Sequence, residues 1–134
     1  MLLNQKSWPA KLFCMTAVML ASCFADALAA TDFTPLIGRW QRTDGGYVLD
    51  ISAVAPDGSV TAGYFNPRSI NVSYAKSFLF NNRLRVDIEL RDKGYPGSVY
   101  TLIYDPDRDA LFGIYHHAPS GQNFEVAFVR KDSR

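Results

Sequence analysis

The stretch Arg83–His117 constrains the fold of this chain more than any other. It runs RLRVDIELRD, KGYPG, SVYTLIY, DPDRD and ALFGIYHH. In the first block Leu84, Val86, Ile88 and Leu90 alternate with Arg85, Asp87, Glu89 and Arg91. A period of two places the apolar set on one face of a strand and the charged set on the other, whereas a helix would scatter both around its circumference. Lys93–Gly97 and Asp105–Asp109 are turn-forming runs, and Val99–Tyr104 and Ala110–His117 are short apolar runs rich in aromatic and branched residues. The whole reads as strand, turn, strand, turn, strand, an antiparallel meander.

The same grammar extends in both directions. Gly38–Arg42 is the expected first strand, after a lead-in with at most one helical turn around Pro35. Asp44-Gly45-Gly46 turns the chain, and Tyr47–Val54 follows with Leu49 and Ile51 on one face. Pro56-Asp57-Gly58 turns it again. Ser59–Asn66 is a strand ended by Pro67, which cannot donate to a ladder. Ile70–Phe80 is a longer strand whose pattern blurs after Lys76, the mark of a bulge or break. Asn81-Asn82 is a hairpin turn. After Pro119-Ser120-Gly121 the last strand, Gln122–Arg130, points Phe124, Val126 and Phe128 inward. Short strands at even spacing, with no helical period among them, predict an all-β, antiparallel up-and-down meander closing into a roughly eight-stranded small barrel.

The first 29 residues are expected to stand apart as a signal peptide, leaving residues 30–134 as the barrel domain. Lys6 and Lys11 form a basic start, Leu12–Phe24 an apolar stretch, and Ala25–Ala29 a small-residue cleavage region. The apolar stretch is shorter than the ~20 residues a spanning helix needs. A lipoprotein reading competes: Leu20-Ala21-Ser22-Cys23 resembles a lipobox, which would lipidate Cys23. The expected location is therefore periplasmic or secreted, or tethered to the envelope through Cys23. Both cysteines, Cys14 and Cys23, lie in this leader, so the domain must hold together by burial alone. From Ala30 onward 12 Lys plus Arg face 12 Asp plus Glu. That balance argues against nucleic acid, which calls for a basic face. No basic amphipathic helix is present, so membrane contact would come only from a lipid anchor.

Gly38-x-Trp40 opens the first strand and Arg130 ends the last. This pattern resembles the calycin superfamily of lipocalins, fatty-acid-binding proteins, avidins and certain bacterial protease inhibitors. The resemblance implies that Trp40 packs across the barrel floor against Arg130 or Lys131, and stacking of guanidinium on indole makes that pairing physically sound. Gly38–Tyr64 is most similar to the opening of an avidin. Avidins line their biotin site with later tryptophans, and here Trp40 is the sole tryptophan after the leader, so biotin binding is not carried over. Ala62–Asn66 and Glu89–Tyr104 also resemble a family of uncharacterised exported bacterial proteins, which implies no function.

Strand parity supplies the candidate site. Tyr115 and His117 share a face with Leu111 and Gly113, and Gln122 shares one with Phe124 and Val126. If the hairpin at Pro119–Gly121 rims the barrel, His117 and Gln122 converge at its mouth, with Tyr64, Asn66, Tyr100 and Tyr104 contributing from other strands. Such a cluster is either a ligand pocket with aromatic walls or a set of tyrosines filling the barrel. Arg68 and Tyr95, on turns, are the residue types that anchor protein interfaces. Asp105–Asp109 has D-x-D-x-D spacing but lacks the glycine and glutamate of a calcium loop. His116 and His117 are adjacent on a strand and point to opposite faces, so they make no metal pair.

No G-x-S-x-G, H-E-x-x-H or phosphate loop occurs, and no catalytic residue, metal or cofactor is expected. The functional expectation is an exported binding protein for a small apolar or aromatic ligand. The alternatives are a protein-interaction module, such as an inhibitor of an exported enzyme, and, behind both, a small enzyme using an interior acid or base such as His117.

Overall fold

The computed structural model describes residues 29–132, so the expected signal peptide, with Cys14 and Cys23, lies outside the described residues. Nine strands form one antiparallel sheet: β1 Gly38–Arg42, β2 Val48–Val54, β3 Val60–Phe65, β4 Ser69–Ile70, β5 Val72–Phe80, β6 Arg83–Asp92, β7 Tyr95–Asp105, β8 Ala110–His117 and β9 Gln122–Arg130. Their order in the sheet is β4-β3-β2-β1-β9-β8-β7-β6-β5, so β1 pairs with β9 and the meander curls back on itself. The fold is the expected all-β meander, with nine strands because the segment read as one strand from Ile70 to Phe80 is broken at Asn71.

That break is where the barrel nearly closes. β4 pairs with β3 through Tyr64↔Ile70 and Phe65↔Ser69, then the chain shifts its bonding to β6. Asn71 sits at the changeover, its carbonyl accepting the Arg91 N–H at 3.0 Å. Further along, β5 touches the far side again, where Ser59 bridges Lys76 and the Ser77 N–H donates to the Gly58 carbonyl at 2.7 Å. Gly58 has φ +87°, and a Cβ there would run into the Ser77 carbonyl. Only glycine permits both the backbone shape and the approach.

Side-chain parity decides what fills the interior. Leu49, Ile51, Val86, Ile88, Leu90, Leu102, Leu111 and Phe128 are all fully buried, while Arg85, Asp87, Glu89 and Arg91 face outward and pair along the strand. Burying each large apolar side chain contributes roughly 1.5–3 kcal/mol, and no cysteine among the described residues adds a covalent link. β7 begins four residues before the expected Val99, because a register shift at Leu90/Arg91 and the φ of +87° at Gly97 keep Tyr95–Ser98 in the ladder. Asn81 and Asn82 have φ of +48° and +60°, the pair of positive angles a tight two-residue hairpin needs.

One end of the barrel is plugged. A 3-10 turn, Thr34–Leu36, lies across it and buries Leu36 completely, with Phe33 beside it. The Trp40 indole N–H donates to the Leu36 carbonyl at 2.9 Å. Arg130 seals the assembly: its guanidinium lies 4.1 Å from the Trp40 ring centre and donates to the carbonyls of Pro35 and Ile37. It also grips Asp109 with two bonds of 2.7 and 2.9 Å. Gly38 has φ +142°, a backbone shape that strains any other residue, and a Cβ there would also displace Arg130 Nη1, 2.5 Å away.

Candidate functional site

The opposite end is open. β1 carries Arg42 inward because it lies two residues beyond Trp40, and Tyr47, just before β2, continues the face of Leu49 and Ile51 into the mouth. With Tyr64, Tyr95, Tyr115 and Phe124 they wall a pocket of about 490 Å³. Asn66, His117, Ser120 and Gln122 add polar groups around its rim. Five strands (β1, β3, β7, β8 and β9) and the loops after β1, β3, β6 and β8 thus converge on one concavity.

The floor is a hydrogen-bonded chain of phenols. Tyr64 and Tyr100 are 1% and 0% exposed, and their hydroxyls lie 2.8 Å apart. Arg42 Nη1 donates to the Tyr100 hydroxyl at 2.9 Å, while Arg42 Nε and Nη2 donate to the two Asp44 carboxylate oxygens at 2.5 and 2.7 Å. The guanidinium also lies 4.3 Å over the Tyr47 ring. The Tyr100 ring stacks on Tyr115 at 4.5 Å and meets Phe128 edge-on at 5.4 Å, which joins the pocket floor to the apolar core.

These contacts set the protonation states. Burial pushes the Tyr64 phenol far above its ordinary range, and burial pushes Tyr100 up to about 12 despite the neighbouring guanidinium. Burial also raises Tyr115. The Asp44 carboxylate holds Arg42 firmly in its charged form, and Arg42 in turn holds Asp44 below the usual carboxylate range. Around neutral pH the site therefore offers neutral hydroxyls and one paired cation.

Of the residues expected from sequence, the structure brings Tyr64, Asn66, Tyr115, His117 and Gln122 to this mouth and puts Tyr100 just beneath it. Tyr104 is a correction. It lies at the plugged end, edge-on to Trp40 at 6.2 Å, with its hydroxyl donating to Asp109 at 3.0 Å. Four residues along one strand face span roughly 13 Å, so Tyr100 and Tyr104 cannot share one end of a small barrel. Tyr95, expected on an interface loop, belongs to the pocket wall, and its hydroxyl accepts from Asn66 Nδ2 at 2.7 Å. Arg68 is exposed beside the mouth end of β3. Phe124 stands at the rim, 44% exposed, rather than inside.

Arg42 and Tyr47 were missed by sequence reasoning. Extending the parity of Trp40 and of Leu49 by two residues would have found both, but an arginine next to a turn reads as solvated. Asp105 is an ordinary turn carboxylate, accepting the Asp107 and Arg108 N–H groups, and Asp109 is committed to Arg130. His116 lies outside the barrel against Asn123, and His117 lies in the mouth against Ser120. Among the described residues no three His, Cys, Asp or Glu side chains converge on a possible metal position.

A second concavity, of about 560 Å³, lies on the outer face of the sheet against Phe80, Ile103, Phe112 and Ile114. It is a groove between outward side chains, away from the polar cluster. Compared with protein-family models, with curated proteins and with solved structures, the chain matches none.

Proposed function

We propose that this chain is an exported, calycin-like binding protein whose barrel mouth takes a small ligand with an aromatic or apolar body. The observation that carries the reading is the pocket of about 490 Å³, in which five aromatic side chains surround a few placed polar groups. Small-molecule sites have this composition, largely apolar with sparse orienting groups. A barrel plugged at one end by Leu36, Trp40 and Arg130 and open at the other has the form of a cup. The calycin reading draws its support from the same plug, where Trp40 and Arg130 pack as the resemblance implies.

Binding rather than chemistry fits the electrostatics. The floor phenols are held neutral and Arg42 is held cationic, so neither exchanges protons near neutrality. General acid or base work would fall to His117 alone. The reading as a protein-interaction module rests on the outer groove, where Phe80 and Ile114 are exposed.

Native mass spectrometry of gently purified protein, with amide chemical-shift mapping against millimolar aromatic compounds, tests the proposal. The expected result is a small-molecule adduct, or shifts concentrated at Tyr47, Asn66, Tyr95 and Phe124. Shifts confined to Phe80, Ile103 and Phe112, or no adduct and no shifts, would sink the cup reading.

A further inference from the structure

The hydrogen-bond inventory at the bottom of the mouth is lopsided, and the imbalance specifies the head group of a ligand. A guanidinium has five N–H donors. Three of those on Arg42 are engaged, two by Asp44 and one by Tyr100, which leaves two without a partner among the described residues. Tyr64 and Tyr100 bring two hydroxyl protons to one shared hydrogen bond, and Tyr100 already accepts from Arg42. Whichever phenol donates in that bond, one proton is left over, with no acceptor among the described residues. The inner end of the pocket therefore has donors to spare on Arg42, and on Tyr64 when Tyr100 is the donor in the shared bond, so a ligand reaching it must bring acceptor oxygens.

The charge there is already balanced. Arg42 is the one Lys, Arg, Asp or Glu side chain among those lining the pocket, and Asp44 holds it through two bonds. The Arg42 side chain is 10% exposed and that of Asp44 is 54% exposed, so the acid covers the cation from the solvent side. An anionic head group would approach a guanidinium that already has its counter-ion and would bring its own charge close to the Asp44 carboxylate. A neutral carbonyl satisfies the same spare donors with no charge left over, and burying an unbalanced charge is far costlier than burying a hydrogen-bonded dipole.

We infer that the mouth of this barrel selects a neutral carbonyl head, such as an amide, ketone or lactam, on an aromatic body, and that Asp44 excludes the corresponding carboxylate. This deepens the proposed binding function and rests on it. Asp44 acts from outside the pocket by occupying Arg42, so it is a specificity-determining residue without ligand contact. Selectivity by an internal competing charge is discrimination against the wrong partner as much as attraction of the right one.

The test uses naphthamide and naphthoate as matched probes, titrated by calorimetry and mapped by amide chemical shifts on the wild type and on Asp44→Asn. The wild type is expected to bind naphthamide at least about fivefold tighter than naphthoate. In Asp44→Asn the naphthoate affinity rises roughly tenfold while that of naphthamide changes less than about threefold. Asp44 lies on a turn with its side chain 54% exposed, and far-ultraviolet circular dichroism of each variant verifies the fold before titration. Asp44→Ser reproduces the shift if charge, rather than amide geometry, decides it. Equal affinity for both probes in the wild type, or an unchanged ratio in the variants, overturns the head-group inference and leaves the cup reading standing. Failure of both probes to shift mouth residues in any of the proteins overturns the cup reading, and the inference falls with it.

Discussion

Arg130 and Trp40 are register partners on adjacent strands, and the guanidinium of the first lies 4.1 Å from the ring centre of the second. One side chain thereby joins β9 to β1 where the sheet curls round, covers the indole, and ties down the 3-10 turn that plugs the barrel.

Arg130→Met keeps the apolar stem and deletes the charged bonds to Asp109, Pro35 and Ile37. Partly exposed charge-assisted bonds plus a cation–π contact suggest a loss of about 2–3 kcal/mol. Arg130→Lys should recover less than half of it, because an ammonium cannot span two carbonyls and a carboxylate. Urea midpoints measure the loss. Trp40, the sole tryptophan among the described residues, reports the local change by fluorescence. A change below about 0.5 kcal/mol would make the stack incidental.

Acid should loosen the same plug. Arg130 holds the Asp109 carboxyl below its ordinary range, as Arg42 does for Asp44. A carboxylate with a lowered folded-state pKa contributes stability above its unfolded value of about 3.9 and loses it as pH falls through the folded one. The wild type should therefore weaken from about pH 4 downward. Asp109→Asn should be less stable at neutrality yet flatter across that window, which urea midpoints at stepped pH would show. Parallel curves for the two proteins would refute the role of Asp109.

Alkali should act on the other end. The Tyr100 phenol is pushed up to about 12, and burial also raises Tyr64. Once pH passes the unfolded value of about 10 the unfolded chain releases phenol protons that the folded chain retains, so stability falls as pH rises. Phenolate absorbance should show these two groups ionising together with unfolding. Reversible ionisation of all seven tyrosines with the near-ultraviolet circular dichroism intact would contradict the buried hydroxyl chain.

Gly58→Ala tests the closing seam. The positive φ and the nearby Ser77 carbonyl both exclude a Cβ, so a cost of roughly 2–3 kcal/mol is expected. Hydrogen exchange should quicken first at the Ser77 amide, which donates to the Gly58 carbonyl. Protection there at the wild-type level would mean that the seam contributes little.

Two aromatic residues of the mouth should separate binding from folding. Phe124, 44% exposed at the rim, should cost at most about 1 kcal/mol when replaced by Ala while weakening an aromatic ligand roughly tenfold. Tyr115, 8% exposed and stacked on Tyr100, should cost about 3 kcal/mol or more on the same change. Thermal melts paired with naphthamide titrations compare the two. A Phe124→Ala protein with unchanged affinity would remove the rim from the site.

Most strands and the faces of their residues are encoded locally. Alternation in Arg83–Asp92, the Asn81-Asn82 hairpin and the bounds of β1, β8 and β9 were legible because pleat period and turn chemistry are local. Parity also marked Tyr115, His117 and Gln122 as inward. Parity says which face a residue takes but not how far along the barrel it stands, and there the reading of Tyr104 went wrong. That height, the break at Asn71, the burial of Arg42 beneath Asp44 and the meeting of Tyr64 with Tyr100 were decided only by closure. Closure brings together residues such as Tyr64 and Tyr100, 36 positions apart, and no local propensity encodes which hydroxyl will meet which.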